Sequence, residues 1–230
     1  MVRPTKCPFI VEFTGSPEAG KTTCIKTILK RFENQGLRVK YIQESAEIVS
    51  DDTNIPKTSF EAHLLMRLLS ILSIIENKYE DYDLILVDRG LIDGIFYTIK
   101  YLTDYIDSYD ECSALISLLD CLKKFITPDL LVIFRVDPET SIDRRGGEGR
   151  IVNLSFVRNY NRLLDSFVDS LTVPYNLIDT TNLSEDEVSE QVYDLITDNI
   201  WKIPEDFYSS GVTFYYLDVI SIPSLVSLII

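Results

Sequence analysis

Short apolar runs alternate along the chain with longer stretches in which apolar residues recur every three or four positions. The runs predict five strands, at 8–14, 38–43, 83–88, 129–136 and 174–179. Those containing DLILVD and DLLVIFRV are almost unbroken, as befits strands covered on both faces of a parallel sheet. The helical stretches fall between them. The first begins at Lys21–Thr23, carries Ile25, Ile28, Leu29 and Phe32 at helical spacing, and stops near Gly36. The second opens on a capping box, Thr58-x-x-Glu61, and runs to about Asn77. A third covers about 91–106 and a fourth about 111–125. Asp137 and Pro138 read as the N-cap and first residue of a short helix to Arg145. A long helix spans about 153–170, and a second capping box, Ser184-x-x-Glu187, starts the last, which ends near Ile200. Strands alternating with helices in this way predict an α/β protein, a parallel sheet layered between helices.

Composition narrows the classes. With 230 residues, 46% of them hydrophobic and 25% charged, the chain can bury a core and is no disordered polymer. The division expected is one domain over 1–200 and a tail over 201–230. The last twenty residues of the tail hold one charge, Asp218. An added strand, a packing segment at a homodimer interface and a truncated second domain are all open for it. A membrane anchor is disfavoured, because Pro223 interrupts the run and no basic residue flanks it. The N-terminus reaches Glu12 after a very short apolar run, unlike a signal peptide or a span, so a cytoplasmic location is expected. Cys7, Cys24, Cys112 and Cys121 form no C-x-x-C pair, and His63 is the one histidine, so reduced thiols are expected rather than a zinc site. The imidazole reads as structural.

The net charge of −14 argues against nucleic acid as a partner, yet the bases are unevenly spread. Residues 1–45 carry eight bases and four acids, and 144–162 carry five arginines and one glutamate. Two segments of an acidic chain therefore seek an anion.

The first holds Gly15-Ser16-Pro17-Glu18-Ala19-Gly20-Lys21-Thr22, followed by Thr23, a full match to G-x-x-x-x-G-K-[ST] between a strand and a helix. The two glycines allow a tight loop whose amides, with the positive end of the helix, cradle phosphates. Lys21 reaches the β- and γ-phosphates, and the Thr22 hydroxyl ligates Mg²⁺. Glu18 is expected to point outward, since such a loop works through its backbone. The second segment, Arg144-Arg145-Gly146-Gly147-Glu148-Gly149-Arg150, combines mobility with guanidinium groups, as a lid over a nucleotide would. A solvated basic loop is the alternative. Arg158 and Arg162, four apart on the next helix, read as partners of nearby acids. Asp88 ends a buried strand, where α/β sheets place ligands, and can hold the magnesium hydration shell. A helix N-cap is its other reading. Arg89 then faces the phosphate or the acceptor, and Asp93 and Tyr97 share one helical face after it. Glu44, after strand two, is a general base, a carboxylate orienting a magnesium water, or a surface acid.

Together these residues resemble the P-loop nucleoside and nucleotide kinases, thymidylate kinase and its relatives above all, over about 8–200. The resemblance rests on GSPEAGKTT, Glu44, the D-R-G strand end, Val136–Glu139 before the arginine lid, and LID…SEDEV. It implies a three-layer P-loop NTPase fold with a five-stranded parallel sheet of order 2-3-1-4-5. It also implies γ-phosphoryl transfer from ATP to a nucleoside or nucleoside monophosphate. In that family a lid supplies the arginine when the phosphate loop lacks one. Glu18 stands where a loop arginine can occur, which directs the catalytic role to Arg144, Arg145 and Arg150. Glu61-Ala-His-Leu-Leu65 matches the start of the acceptor-binding helix, but Ser70-Ile71 replaces the expected D-R, leaving Arg67 as the candidate grip. D-R-G-x-x-D-x-x-x-Y, from Asp88 to Tyr97, is closer to nucleoside-kinase-like ATPases. The competing classes are an ATPase or GTPase coupling hydrolysis to a partner, and a nucleotide binder without chemistry. No N-K-x-D motif for reading guanine occurs late in the chain, and Lys21, Thr22, Asp88 and Arg89 are all present.

Overall fold

The computed structural model describes residues 8–44, 60–78, 80–105, 117, 127–149, 152–171 and 173–200. The helix expected over 111–125 (save residue 117), the Thr58 start of the second helix, Cys7, Cys112, Cys121, Arg150 and the tail 201–230 lie outside them, as do the side chains of Glu61, His63 and Arg67. In chain order the elements are β1 (Phe9–Gly15), α1 (Lys21–Asn34), β2 (Val39–Ile42), α2 (Phe60–Lys78) and β3 (Leu84–Asp88). They continue with α3 (Leu91–Tyr105), β4 (Leu130–Arg135), α4 (Pro138–Arg145), α5 (Leu154–Asp169), β5 (Tyr175–Asp179) and α6 (Glu185–Ile200). All five strands run parallel in the order β2-β3-β1-β4-β5, the order that the resemblance implies.

Strand alternation explains the two cores. Successive side chains of a strand point to opposite faces. Phe9, Val11 and Phe13 of β1 therefore join Ile25, Ile28 and Phe32 of α1 and Val192 and Ile196 of α6 in one layer. Ile10, on the other face, joins Ile71 and Ile74 of α2, Phe96 of α3 and Leu164 and Phe167 of α5. Phe96 packs edge-on against Tyr160 and Phe167, with ring centroids 4.9 and 5.3 Å away. Each such side chain removed from water contributes about 1.5–3 kcal/mol, which explains why β1, β3 and β4 are buried along nearly their whole length.

Two helix starts, at Asp137 and Ser184, follow the caps read from sequence, and a third cap, Asn153, was not read there. Asp137 accepts from the amide of Glu139 at 2.9 Å, with Pro138 as the first helical residue of α4. Asn153 accepts from Phe156 at the start of α5. Ser184 and Glu187 form a reciprocal capping box on α6. Arg158 pairs with Glu139 on the surface, as do Arg31 with Glu190 and Arg38 with Asp81, contacts that water screens and that add little to stability. Among the described residues no helix is long and apolar enough to cross a membrane.

Candidate functional site

The loop 15–20 leaves the carboxyl end of the central strand. Gly15 has φ 125°, and a Cβ there would stand 1.9 Å from the Phe134 carbonyl oxygen of β4. Only glycine lets the chain turn off β1 that close to its neighbour. Beyond it the loop is tied down from three directions. The Tyr160 hydroxyl of α5 donates to Gly15 O at 3.0 Å, and Ser16 Oγ donates to Asn161 Oδ1 at 2.7 Å. Ser141 Oγ of α4 donates to Pro17 O at 3.0 Å, and Thr180 Oγ1, just after β5, donates to Ala19 O at 3.1 Å. Glu18 holds a left-handed φ of 55°, a conformation that costs a non-glycine residue about 1–3 kcal/mol. Its side chain is partly exposed and meets Arg145 at 3.2 Å.

Lys21 is buried in this bowl. Its ammonium donates to Gly15 O at 3.0 Å and Ser16 O at 2.7 Å. Burial pushes it down to about 7, helped by the Arg89 guanidinium and opposed by the carboxylates of Asp88, Glu44 and Asp93. Nothing lies within 4 Å of where a Gly20 Cβ would stand, so the bowl is open there. Thr22 Oγ1 donates to Asp88 Oδ2 at 2.6 Å, and the Tyr41 hydroxyl approaches the same oxygen at 3.4 Å. Asp88 Oδ1 is buried and has no hydrogen-bond partner among the described residues. Burial raises this carboxyl above the usual carboxylate range. A buried acceptor left in that state costs about 1–3 kcal/mol. An unsatisfied carboxylate oxygen beside a threonine hydroxyl is a hard oxygen donor set, which suits Mg²⁺. The N-cap reading of Asp88 does not hold: its carboxylate turns to Thr22 and Tyr41, and α3 opens three residues later.

Arg89 follows in a left-handed conformation, φ 63°. Its Nε lies 3.0 Å from Glu44 Oε1, its NH1 donates to Asp93 Oδ1 at 3.0 Å, and its guanidinium stands 5.6 Å over the Tyr97 ring. Burial opposes its charge, but Glu44, Tyr97 and Asp93 outweigh that and hold it well above the usual range. Two residues that sequence reasoning missed build this corner. Thr14 Oγ1 donates to Asp93 Oδ1 at 2.6 Å, and the Asp93 amide donates to Glu12 Oε1 at 2.8 Å. A Cβ on Gly90 would stand 2.8 Å from the Glu12 carboxylate. The signal was present: Glu12 is the one charge in FIVEFTG, and its even position shares the Ile10 face, toward α3.

A cleft of about 420 Å³ opens between the loop and the start of α6, lined by Glu18, Ala19, Gly20, Arg144, Leu183 and Glu185 among others. Arg144 forms part of its wall. Its NH2 donates to Thr180 O at 2.6 Å and its NH1 to Thr180 Oγ1 at 3.1 Å. Arg144 and Arg145 lie in the last turn of α4, ahead of Gly146 at its C-terminal cap. The structure thus gathers Lys21, Thr22, Asp88, Arg89, Glu44 and Asp93 into one network, while Arg144 and Arg145 stand on the opposite lip of the loop.

No family model matches the sequence, and no curated protein does. Solved structures do. Thymidylate kinase from Candida albicans superposes with a TM-score of 0.56 at 18% identity, over 84% of this chain and 92% of that one. Deoxyadenosine kinase from M. mycoides, solved with bound dATP, gives 0.62 at 18% identity, over 81% of this chain and 98% of that one. Likeness over this much of both chains, with the sheet order above, means that the chain has the fold of the P-loop nucleotide kinases.

Proposed function

We propose that the chain is an ATP- and Mg²⁺-dependent phosphotransferase that moves the γ-phosphoryl group to a nucleoside or nucleoside monophosphate. The observation that carries this is the cluster at the loop: a buried Lys21 ammonium bonded to loop carbonyls, and Thr22 bonded to a buried Asp88 whose second oxygen has no partner among the described residues. The bound dATP in a protein of the same fold supports a nucleotide as ligand. In this reading the loop amides and Lys21 hold the β- and γ-phosphates, and Lys21 exchanges its carbonyl contacts for phosphate oxygens. Thr22 and Asp88 hold the magnesium ion. When bound, the ion neutralises charge that grows on the phosphate oxygens during transfer. The cleft walled by Arg144 takes the donor base. Arg145, tied to a partly exposed Glu18, and Arg150 are the lid arginines that turn to the transferring group. Arg89, Asp93 and Tyr97 stand on the acceptor side, with Arg67, and Glu44 either accepts a proton or orients water. The ligand is a small molecule, the net charge of −14 argues against a polynucleotide, and a cytoplasmic location and a homodimer are compatible with this reading.

Lys21→Ala tests the reading directly. Acceptor-dependent ADP release should fall by about 10²- to 10³-fold, the usual loss when a preorganised cation or donor leaves a transition state. Full activity would overturn the loop assignment. ADP release by the wild type that ignores every acceptor would instead support a partner-coupled ATPase.

A further inference from the structure

Glu12 is a buried acid with no place in the transfer chemistry of the site. It is 1% exposed in the middle of β1, where FIVEFTG is otherwise uncharged. A charge in the core is costly unless its surroundings are built around it. Its Oε1 accepts from the Asp93 amide in the first turn of α3 at 2.8 Å, where the positive end of the helix favours an anion. Its Oε2 lies 2.8 Å from where a Gly90 Cβ would stand, so the carboxylate rests on the Gly90 backbone. The next two residues extend the grip. Phe13 O accepts from the Arg89 amide at 2.9 Å, and Thr14 Oγ1 donates to Asp93 Oδ1 at 2.6 Å. Three consecutive residues of one strand thus hold Arg89, Gly90 and Asp93. Arg89 has φ 63°, a backbone that persists only where its surroundings enforce it. Asp93 Oδ1 also accepts from Arg89 NH1 at 3.0 Å, so the placing of the first turn of α3 is passed on to the guanidinium. One residue after Thr14 the same strand turns into the phosphate loop.

We propose that Glu12 is a positioning residue for phosphoryl transfer: seated on Gly90 and on the Asp93 amide, it fixes the Arg89 guanidinium relative to the phosphate loop that β1 also carries. The inference rests on the kinase reading, in which Arg89 serves the acceptor. Glu12 meets neither donor nor acceptor and acts through Arg89 and Asp93. Its removal therefore misaims a group rather than deleting one, and a misplacement of about 1 Å can cost 10²-fold in rate. The loss should fall on the acceptor and spare ATP, because the loop that holds ATP is braced separately by Tyr160, Asn161, Ser141 and Thr180.

The test uses the whole chain with ATP and Mg²⁺. The acceptors are thymidine, deoxyadenosine and their 5′-monophosphates, and the one that the wild type phosphorylates fastest is then varied. Glu12→Ala should lower kcat/KM for that acceptor by about 10- to 100-fold, with KM for ATP unchanged. Glu12→Gln, whose amide oxygen can still accept from Asp93, should recover most of the loss. Gly90 is not at a left-handed φ, and a Cβ there meets the Glu12 carboxylate at 2.8 Å, before Val87 Cγ1 at 3.1 Å. Gly90→Ala should therefore reproduce the Glu12→Ala loss. The double variant should lose no more than the worse single one, because both act through one contact. An unchanged acceptor kcat/KM in Glu12→Ala, losses that fall equally on acceptor and ATP, or losses that multiply in the double variant would overturn the inference and leave the kinase reading standing. If Glu12→Ala does not fold, Gly90→Ala decides, and its failure to show an acceptor-specific loss overturns the inference. No transfer by the wild type to any of the four acceptors would overturn the kinase reading and this inference with it.

Discussion

Single side chains divide the work at this site by what already holds them. Asp88 has one oxygen bonded by Thr22 and one with no partner among the described residues, so it is poised for an ion. Asp88→Asn should raise the Mg²⁺ concentration for half-maximal activity by about 10- to 100-fold, the range seen when groups around a metal are lost. An unchanged magnesium titration would remove Asp88 from the metal site. Arg144 and Arg145 are neighbours in sequence with different environments. Arg144 is bonded twice to Thr180 in the cleft wall, whereas Arg145 rests on an exposed ion pair of small worth. Arg144→Ala should therefore raise KM for ATP several-fold with little change in kcat, and Arg145→Ala should lower kcat more than it raises KM. Steady-state kinetics with varied ATP separates the two. Lys21, Thr22 and Asp88 were legible in sequence because a contiguous motif and a strand end carry them. Thr14 was not, because its role exists only once β1 lies beside the start of α3.

At the scale of elements, the predicted strands, the Asp137 cap and the Ser184 capping box came through because local chemistry sets them. Short apolar runs, Asp137 with Pro138, and Ser184 with Glu187 act over a few residues. Asp137→Ala should cost about 1 kcal/mol of stability, read from denaturant unfolding, with no change in the acceptor preference. What lies beyond local reading is how the loop is braced. Tyr160, Asn161, Ser141 and Thr180 reach it across 124 to 161 residues of chain, and nothing in the spacing of the motif announces them. These braces explain how Glu18 can sit at positive φ and how Gly15 can turn against β4. A Gly15→Ala substitution meets a backbone oxygen, which cannot yield as a side-chain tip can. It should abolish nucleotide binding and lower thermal stability together.

Across the whole molecule, the order β2-β3-β1-β4-β5 sets the loop at the end of the middle strand, with Glu44 and Arg89 on one side and Arg144 on the other. The two basic segments of an otherwise acidic chain meet there, through the Glu18 contacts of Arg144 and Arg145. That convergence explains a net charge of −14 in a protein whose proposed ligand is an anion. The charge counts pointed to it, but only the fold joins the segments. If phosphates bind at the junction, ATP with Mg²⁺ should raise the melting temperature in a concentration-dependent way, by mass action on the folded state, and a chelator should reverse most of the gain. The central claim is the transfer itself. ATP labelled in its γ-phosphate should pass the label to an added nucleoside or nucleoside monophosphate when incubated with the wild-type chain, and Lys21→Ala should leave the label on ATP. Label that appears only as inorganic phosphate, with or without acceptor, would contradict the account.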